Sequence, residues 1–176
     1  LCSTLIALFF GAIIGSIAAV VRKSFSEAIM RVMDIVMAVP GIAMAAVSVL
    51  VFGRTLSKSG NTAGLVVVII CSIAFVYIPQ LSRIVRANVM AAYGEDYVRA
   101  VIVSGARAPW ILTKHVMRNT AAPVLVFATV LVADAIILEA SLTFIGSGLQ
   151  ATTVATWGNV LSEASSNLSV LLGKWW

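Results

Sequence analysis

Three stretches of this chain, Leu1 to Val21, Ile35 to Gly53 and Ser59 to Ser82, contain no Asp, Glu, Lys or Arg at all. A helix that crosses about 30 Å of hydrocarbon needs about 20 apolar residues at 1.5 Å each, so each run is long enough to span a bilayer. A fourth run, from about 120 to 146, is interrupted by Asp134 and Glu139 but is otherwise dominated by residues such as Val124, Leu125, Phe127, Leu131 and Ile136. The spans are therefore expected at about 1–21, 35–53, 62–82 and 120–146. Composition closes the soluble alternative: 61% of the residues are hydrophobic and 11% charged, too few charges to cover a water-soluble globule. The fold class that follows is all-α, a polytopic membrane helix bundle.

The basic residues then orient it. Arg22, Lys23 and Arg31 lie in the stretch 22–34, and Arg83, Arg86, Arg99, Arg107, Lys114 and Arg118 in the stretch 83–118, together nine of the 12 Lys and Arg. By the positive-inside bias these two loops face the cytoplasm, while Arg54 and Lys58, and a segment of about 147–176 ending in Lys174-Trp175-Trp176, lie outside. The net charge of +5 thus reads as topology and contact with membrane lipid, with no nucleic acid as partner. The first run lacks a charged n-region and a cleavage site, which argues against a signal peptide. With Leu1 at one end and an interfacial Lys-Trp-Trp at the other, the chain reads as a fragment of a longer membrane protein.

Several residues interrupt the apolar runs. Gly11 and Gly15 form a small-xxx-small pair, which reads as close helix packing before a dimer seam. Pro40-Gly41 and Pro79 remove backbone hydrogen bonds and should bend their helices. Asp134 and Glu139 are costly in hydrocarbon, about 2.5–3.5 kcal/mol for Asp at a helix centre, and five residues place them about 140° apart, so they do not form one paired-carboxylate site. Each either lines a translocation path or proton relay, or reaches an interface or a hydrogen-bonding neighbour. Cys2 and Cys71 stand alone in apolar runs and read as small buried hydrophobes. With isolated cysteines and His115 as the single histidine, no metal site is expected, and His115 reads as a packing or capping residue.

The stretch 83–118 is too long for a plain connection between packed helices. Val98, Val101, Ile102 and Gly105 recur at i, i+3, i+4 and i+7, writing an amphipathic helix that starts near Glu95-Asp96, where carboxylates favour the helix dipole. Gly105-Ala106 reads as a turn, and Ala108-Pro109 opens a second short helix to about Lys114. The competing reading is a helix lying on anionic lipid, which the acidic start and the small turn fit poorly.

This segment resembles the membrane permeases of binding-protein-dependent ABC importers, in the dipeptide, oligopeptide and nickel branch. Their loop carries E-A-A, three residues, G, nine residues and I-x-L-P, preceded in this branch by an acidic-Tyr-Val triplet and ending in H-I-L-P-N. Here Glu95, Asp96, Tyr97, Val98, Arg99, Ala100, Val101, Gly105 and Ala106 are followed by Lys114-His115-Val116-Met117-Arg118-Asn119, and the Tyr-Val, the middle Ala, the Gly, the His and the Asn fall at the family's positions without a gap. Arg99 takes the place of the pattern's Glu, and Arg118 that of its Pro. Three further strings are similar to the family's in the same order: Arg31 to Asp34 with Pro40-Gly41, Leu138 to Gly148, and Thr156 to Ala164.

The resemblance implies a type I ABC importer transmembrane domain, one permease domain over 1–176, with the family's first and last spans missing from it. It implies that residues 95–119 dock on an ATPase subunit, with Tyr97, Val98 and Val101 filling a groove, Ala100 and Gly105 allowing close approach, and His115 in the same loop. It further implies a homologous permease subunit and an extracytoplasmic solute-binding protein as partners, a bacterial or archaeal cell membrane as location, and a peptide as solute before nickel. No cofactor is expected in this chain, ATP and Mg²⁺ belonging to the partner ATPase; consistent with that, no G-x-x-x-x-G-K-[ST] occurs and no nucleophile-base pair suggests an enzyme. Asp134, Glu139 and Pro40 are the candidate translocation-path residues. The alternative class is an ion-coupled secondary transporter in which Asp134 and Glu139 carry the ion.

Overall fold

The computed structural model describes residues 1–53, 62–148, 155–165 and 172–173. Every regular element among them is helical: α1 (Cys2–Val20), α2 (Lys23–Ala38), α3 (Gly41–Ser48) with a π turn at Val49–Gly53, α4 (Thr62–Tyr93), α5 (Asp96–Val103), α6 (Ala108–Ile111) with a π turn at Leu112–Val116, α7 (Met117–Phe144) and α8 (Trp157–Ala164). Among the described residues three helical stretches are long and apolar enough to cross a membrane, Cys2–Val20, Thr62–Tyr93 and Ala108–Phe144, and a fourth results if α2 and the stretch from Gly41 to Gly53 count as one broken span.

Two expected boundaries differ. The apolar run 35–53 does not make one helix, because α2 begins at Lys23 and stops at Ala38. Val39 is extended at φ −84°, ψ 129°, the conformation imposed on a residue before proline, and Pro40 follows at φ −53°, ψ 123°. The stretch expected as a loop from Arg83 instead continues α4 by eleven residues to Tyr93. Pro79 does not end α4, and Pro123 lies likewise inside α7; Pro79 is fully buried, so packed neighbours surround the backbone gap it creates. Cys2 and Cys71 are free thiols on the exposed surface rather than buried, since a membrane helix turns apolar side chains outward to lipid. Arg54, Lys58 and Lys174-Trp175-Trp176 lie outside the described residues.

The chain divides into two compact units, one of residues 1–39 and 74–132, the other of residues 40–73 and 133–176. In the first, α1 closes on α4 through its two small residues. A Cβ on Gly11 would stand 2.6 Å from the Leu81 Cβ, and one on Gly15 would stand 2.5 Å from the Ser82 carbonyl oxygen and 2.8 Å from the Val85 Cβ. The pair is therefore a packing seam within this chain. Val85, Val89, Ala92, Val98, Ile111, Val116 and Val124 form one buried cluster that joins α4, α5, α6 and α7. In the second unit, α8 is N-capped by Thr156, whose Oγ1 accepts from the Asn159 N–H at 3.3 Å, and Gly158 lets it rest on α7, where a Cβ would meet the Ala140 carbonyl oxygen at 2.4 Å.

Candidate functional site

The segment 94–116 is a short helical hairpin held on the ends of two long helices. Gly94 and Glu95 turn the chain out of α4, their amides donating to the carbonyls of Ala91 and Ala92 at 3.0 and 3.2 Å. Asp96 then sits in the first turn of α5, where its carboxylate complements the amide end of the helix. At the other end Gly105, at φ +84°, closes α5: its N–H donates to the Ile102 carbonyl at 3.0 Å, and the Ala106 N–H reaches back to the Val101 carbonyl at 3.4 Å. Those two bonds form a Schellman cap, which needs the left-handed conformation that glycine adopts without a Cβ penalty. Gly146 ends α7 the same way at φ +83°, with bonds to Thr143 and Leu142 at 2.9 Å each.

The hairpin is anchored rather than floating. Val98 is fully buried, with Ile111 and Val116 beside it in the core that continues into α4 and α7, and the Tyr93 hydroxyl donates to the Ala108 carbonyl at 3.4 Å. This corrects one expectation: Val98 does not fill a partner's groove, because it already fills one in its own chain, and Val101 packs partly against the same core. The outward face consists instead of Tyr97, Arg99, Ala100, Ile102 and Val103, with Trp110 beside it; Val103 is 87% exposed. Ile102, Val103 and Trp110 are exposed apolar residues that sequence reading did not assign to docking. The signal was present, since in a helix a valine five residues after a buried one points elsewhere.

Arg99 stands on this face 3.8 Å from Asp96, both side chains well exposed, a pair of little energetic weight. Glu95 and Asp96 are exposed as well, and Ala106 is half-buried in the turn. His115 is half-buried within the π turn; Trp110 covers it at 4.8 Å between ring centres, and its shielded Nε2 meets no hydrogen-bonding partner among the described residues. Arg118, exposed near the start of α7, sits where a proline would have ended backbone donation, and α7 runs through it unbroken.

The candidate path residues separate. Glu139 is half-buried on α7 and its Oε1 accepts from the Thr143 hydroxyl at 2.9 Å, one turn along the same helix. Asp134 is exposed on α7, as is Ile137 at i+3, which is 64% exposed. Pro40 is exposed at the break between α2 and α3. Among the described residues no three His, Cys, Asp or Glu side chains converge to hold a metal ion.

Residues 11–173 match the family of binding-protein-dependent transport system inner membrane components. The chain belongs to that family. Among curated relatives it is 36% identical over 166 residues to a protein of Brucella suis biovar 1 whose name describes a peptide transport system permease, an alignment covering 94% of this chain and 51% of the relative. It is 32% identical to the dipeptide transport system permease protein DppC of Alkalihalophilus pseudofirmus, covering 90% of this chain and 48% of that one. To DppC of Escherichia coli K12 it is 35% identical, covering 84% and 45%. The chain thus spans about half the length of the curated relatives it matches. Family membership and the long apolar helices together make it a multi-pass membrane protein, and the ion-coupled secondary transporter is not favoured.

Proposed function

We propose that this chain is part of a permease subunit of an ATP-driven importer, that its 95–119 hairpin and the 22–34 stretch face the cytoplasm, and that the hairpin docks on an ATPase subunit. The observation that carries this is the hairpin itself: a two-turn helix seated on the core by Val98, capped at Gly105, and presenting Ile102, Val103 and Trp110 outward. Exposed apolar side chains on a rigid, charge-bearing mount form a surface that a protein groove desolvates. An ATPase that closes on nucleotide would push on this mount, and α4 and α7, continuous with it, would carry the push into the membrane. ATP and Mg²⁺ would be held by the partner, with no bond broken by this chain.

The relatives named for peptide or dipeptide transport support a short peptide as the solute, handed over by an extracytoplasmic binding protein and passed between this subunit and a homologous one. Asp134, exposed at membrane depth, and Pro40 are the residues to test for a place along that path. The decisive experiment is affinity purification of the full-length protein from native membranes with mass spectrometry of what accompanies it. Recovery of a homologous permease and a Walker-motif ATPase, lost when Val103 and Trp110 are both replaced by Asp, is the expected result. Recovery of the protein alone, moving solute in proteoliposomes without ATP, would overturn the reading.

A further inference from the structure

The helix α2 is held in an unusual way. Of its sixteen residues only Ser26 is buried, so core packing does not fix it. Against α1 it leaves an open apolar groove lined by Ile14 and Ile17 on one side and Ile29, Val32 and Met33 on the other. Its connections to α4 are polar: Arg83 pairs through its guanidinium with the Asp34 carboxylate, and Arg86 Nε donates to the buried Ser26 hydroxyl at 2.9 Å. The two arginines sit three residues apart, on one face of α4. Val85, Val89 and Ala92 of the same segment lie on another face and enter the core that holds Val98 of the hairpin. One length of helix thus grips the hairpin with its apolar side and α2 with its cationic side. Asp34 and Arg83 also bound the uncharged runs 35–53 and 59–82, and their side chains are half exposed, so with those runs in a bilayer each charge would sit at the edge of hydrocarbon, where an ion left without its partner is costly.

We propose that Asp34 and Arg83, with Ser26 and Arg86 beside them, are positioning residues that make α2 follow α4 when the hairpin is displaced, so that ATP hydrolysis is converted into movement of the solute path. This rests on the importer reading above. The test uses the full-length permease in its native complex, reconstituted with labelled Ala-Ala as probe, and reads ATPase capture, ATP turnover and peptide uptake separately. Asp34→Asn and Arg83→Gln should each keep ATPase capture and ATP turnover within about twofold while lowering uptake per ATP about tenfold, and Asp34→Arg combined with Arg83→Asp should restore at least half. Ser26→Ala, a milder change that removes only the Arg86 acceptor, should lower uptake per ATP by a smaller factor. Wild-type uptake per ATP in both single variants would overturn the linkage. So would parallel loss of capture, turnover and uptake with no recovery in the swapped pair, which is the signature of a merely structural contact. If the wild-type complex itself captures no ATPase, the importer reading falls first, and the linkage with it.

Discussion

Gly105 offers the sharpest separation between two reasons for needing a glycine. At φ +84° a residue with a Cβ is in left-handed backbone, which costs about 1–2 kcal/mol. Space is not the obstacle, because a Cβ built at Gly105 meets no atom within 4 Å. Gly105→Ala should therefore weaken the cap by a factor of about 5–30, and Gly105→Leu by a similar factor, since the Cβ of either enters open space. Gly105→Asn should lose much less, as asparagine tolerates this region by bonding locally. The assay is hydrogen exchange in the purified full-length permease, followed on the Gly105 and Ala106 amides that donate to Ile102 and Val101. Opening of these amides should rise in the order Gly, Asn, then Ala and Leu together. An asparagine variant as open as the alanine one would refute the conformational argument. A leucine variant that matches alanine in exchange yet fails to capture the ATPase would instead measure crowding against the partner.

Gly15→Leu should prevent α1 from closing on α4, because its Cβ position already overlaps the Ser82 carbonyl and Val85; Gly15→Ala should cost about 1–3 kcal/mol, read as a lower unfolding midpoint in detergent. Val98→Ala removes two buried methyl groups and should cost about 1.6–3 kcal/mol in the same measurement, whereas Val103→Ala, 87% exposed, should leave stability within about 0.5 kcal/mol and lower only ATPase capture. Glu139→Gln keeps an oxygen for the Thr143 hydroxyl and should leave peptide uptake unchanged, while Glu139→Leu leaves that hydroxyl only the carbonyls of its own helix and should cost about 1 kcal/mol of stability.

What could be read in the sequence was what periodicity and backbone chemistry dictate locally. The start of α5 at Asp96, its glycine-closed end and the second helix opening at Ala108-Pro109 all follow from residues whose preferences act within one turn. Charge counting ended the third apolar run at Ser82, because Arg83 and Arg86 look like the end of a span, whereas the helix itself continues to Tyr93. A helix has no reason to stop at a charge when its other face, Val85, Val89 and Ala92, still has a core to enter. The same limit applied to Val98 and Val101. Apolar spacing identifies a stripe, but not whether the stripe is covered by its own chain or by another protein.

Helix breaking shows where local reasoning needs its surroundings. Pro40 and Pro79 carry the same covalent defect, a missing N–H and a ring that crowds the preceding turn. Pro40 ends a helix and Pro79 does not, and the difference lies in what surrounds them. Pro79 is fully buried, a short step along α4 from the seam where Gly11 meets Leu81, so close neighbours surround the gap and the helix continues through it. Pro40 is exposed at the end of a helix with a single buried residue, so nothing compels the chain to continue. A proline therefore marks where a membrane helix is permitted to break, and packing decides whether it does. The partners that supply such contacts lie far apart along the chain, as Gly11 and Leu81 do, and so do the polar pairs Asp34–Arg83 and Ser26–Arg86, which leave no periodic trace in the sequence.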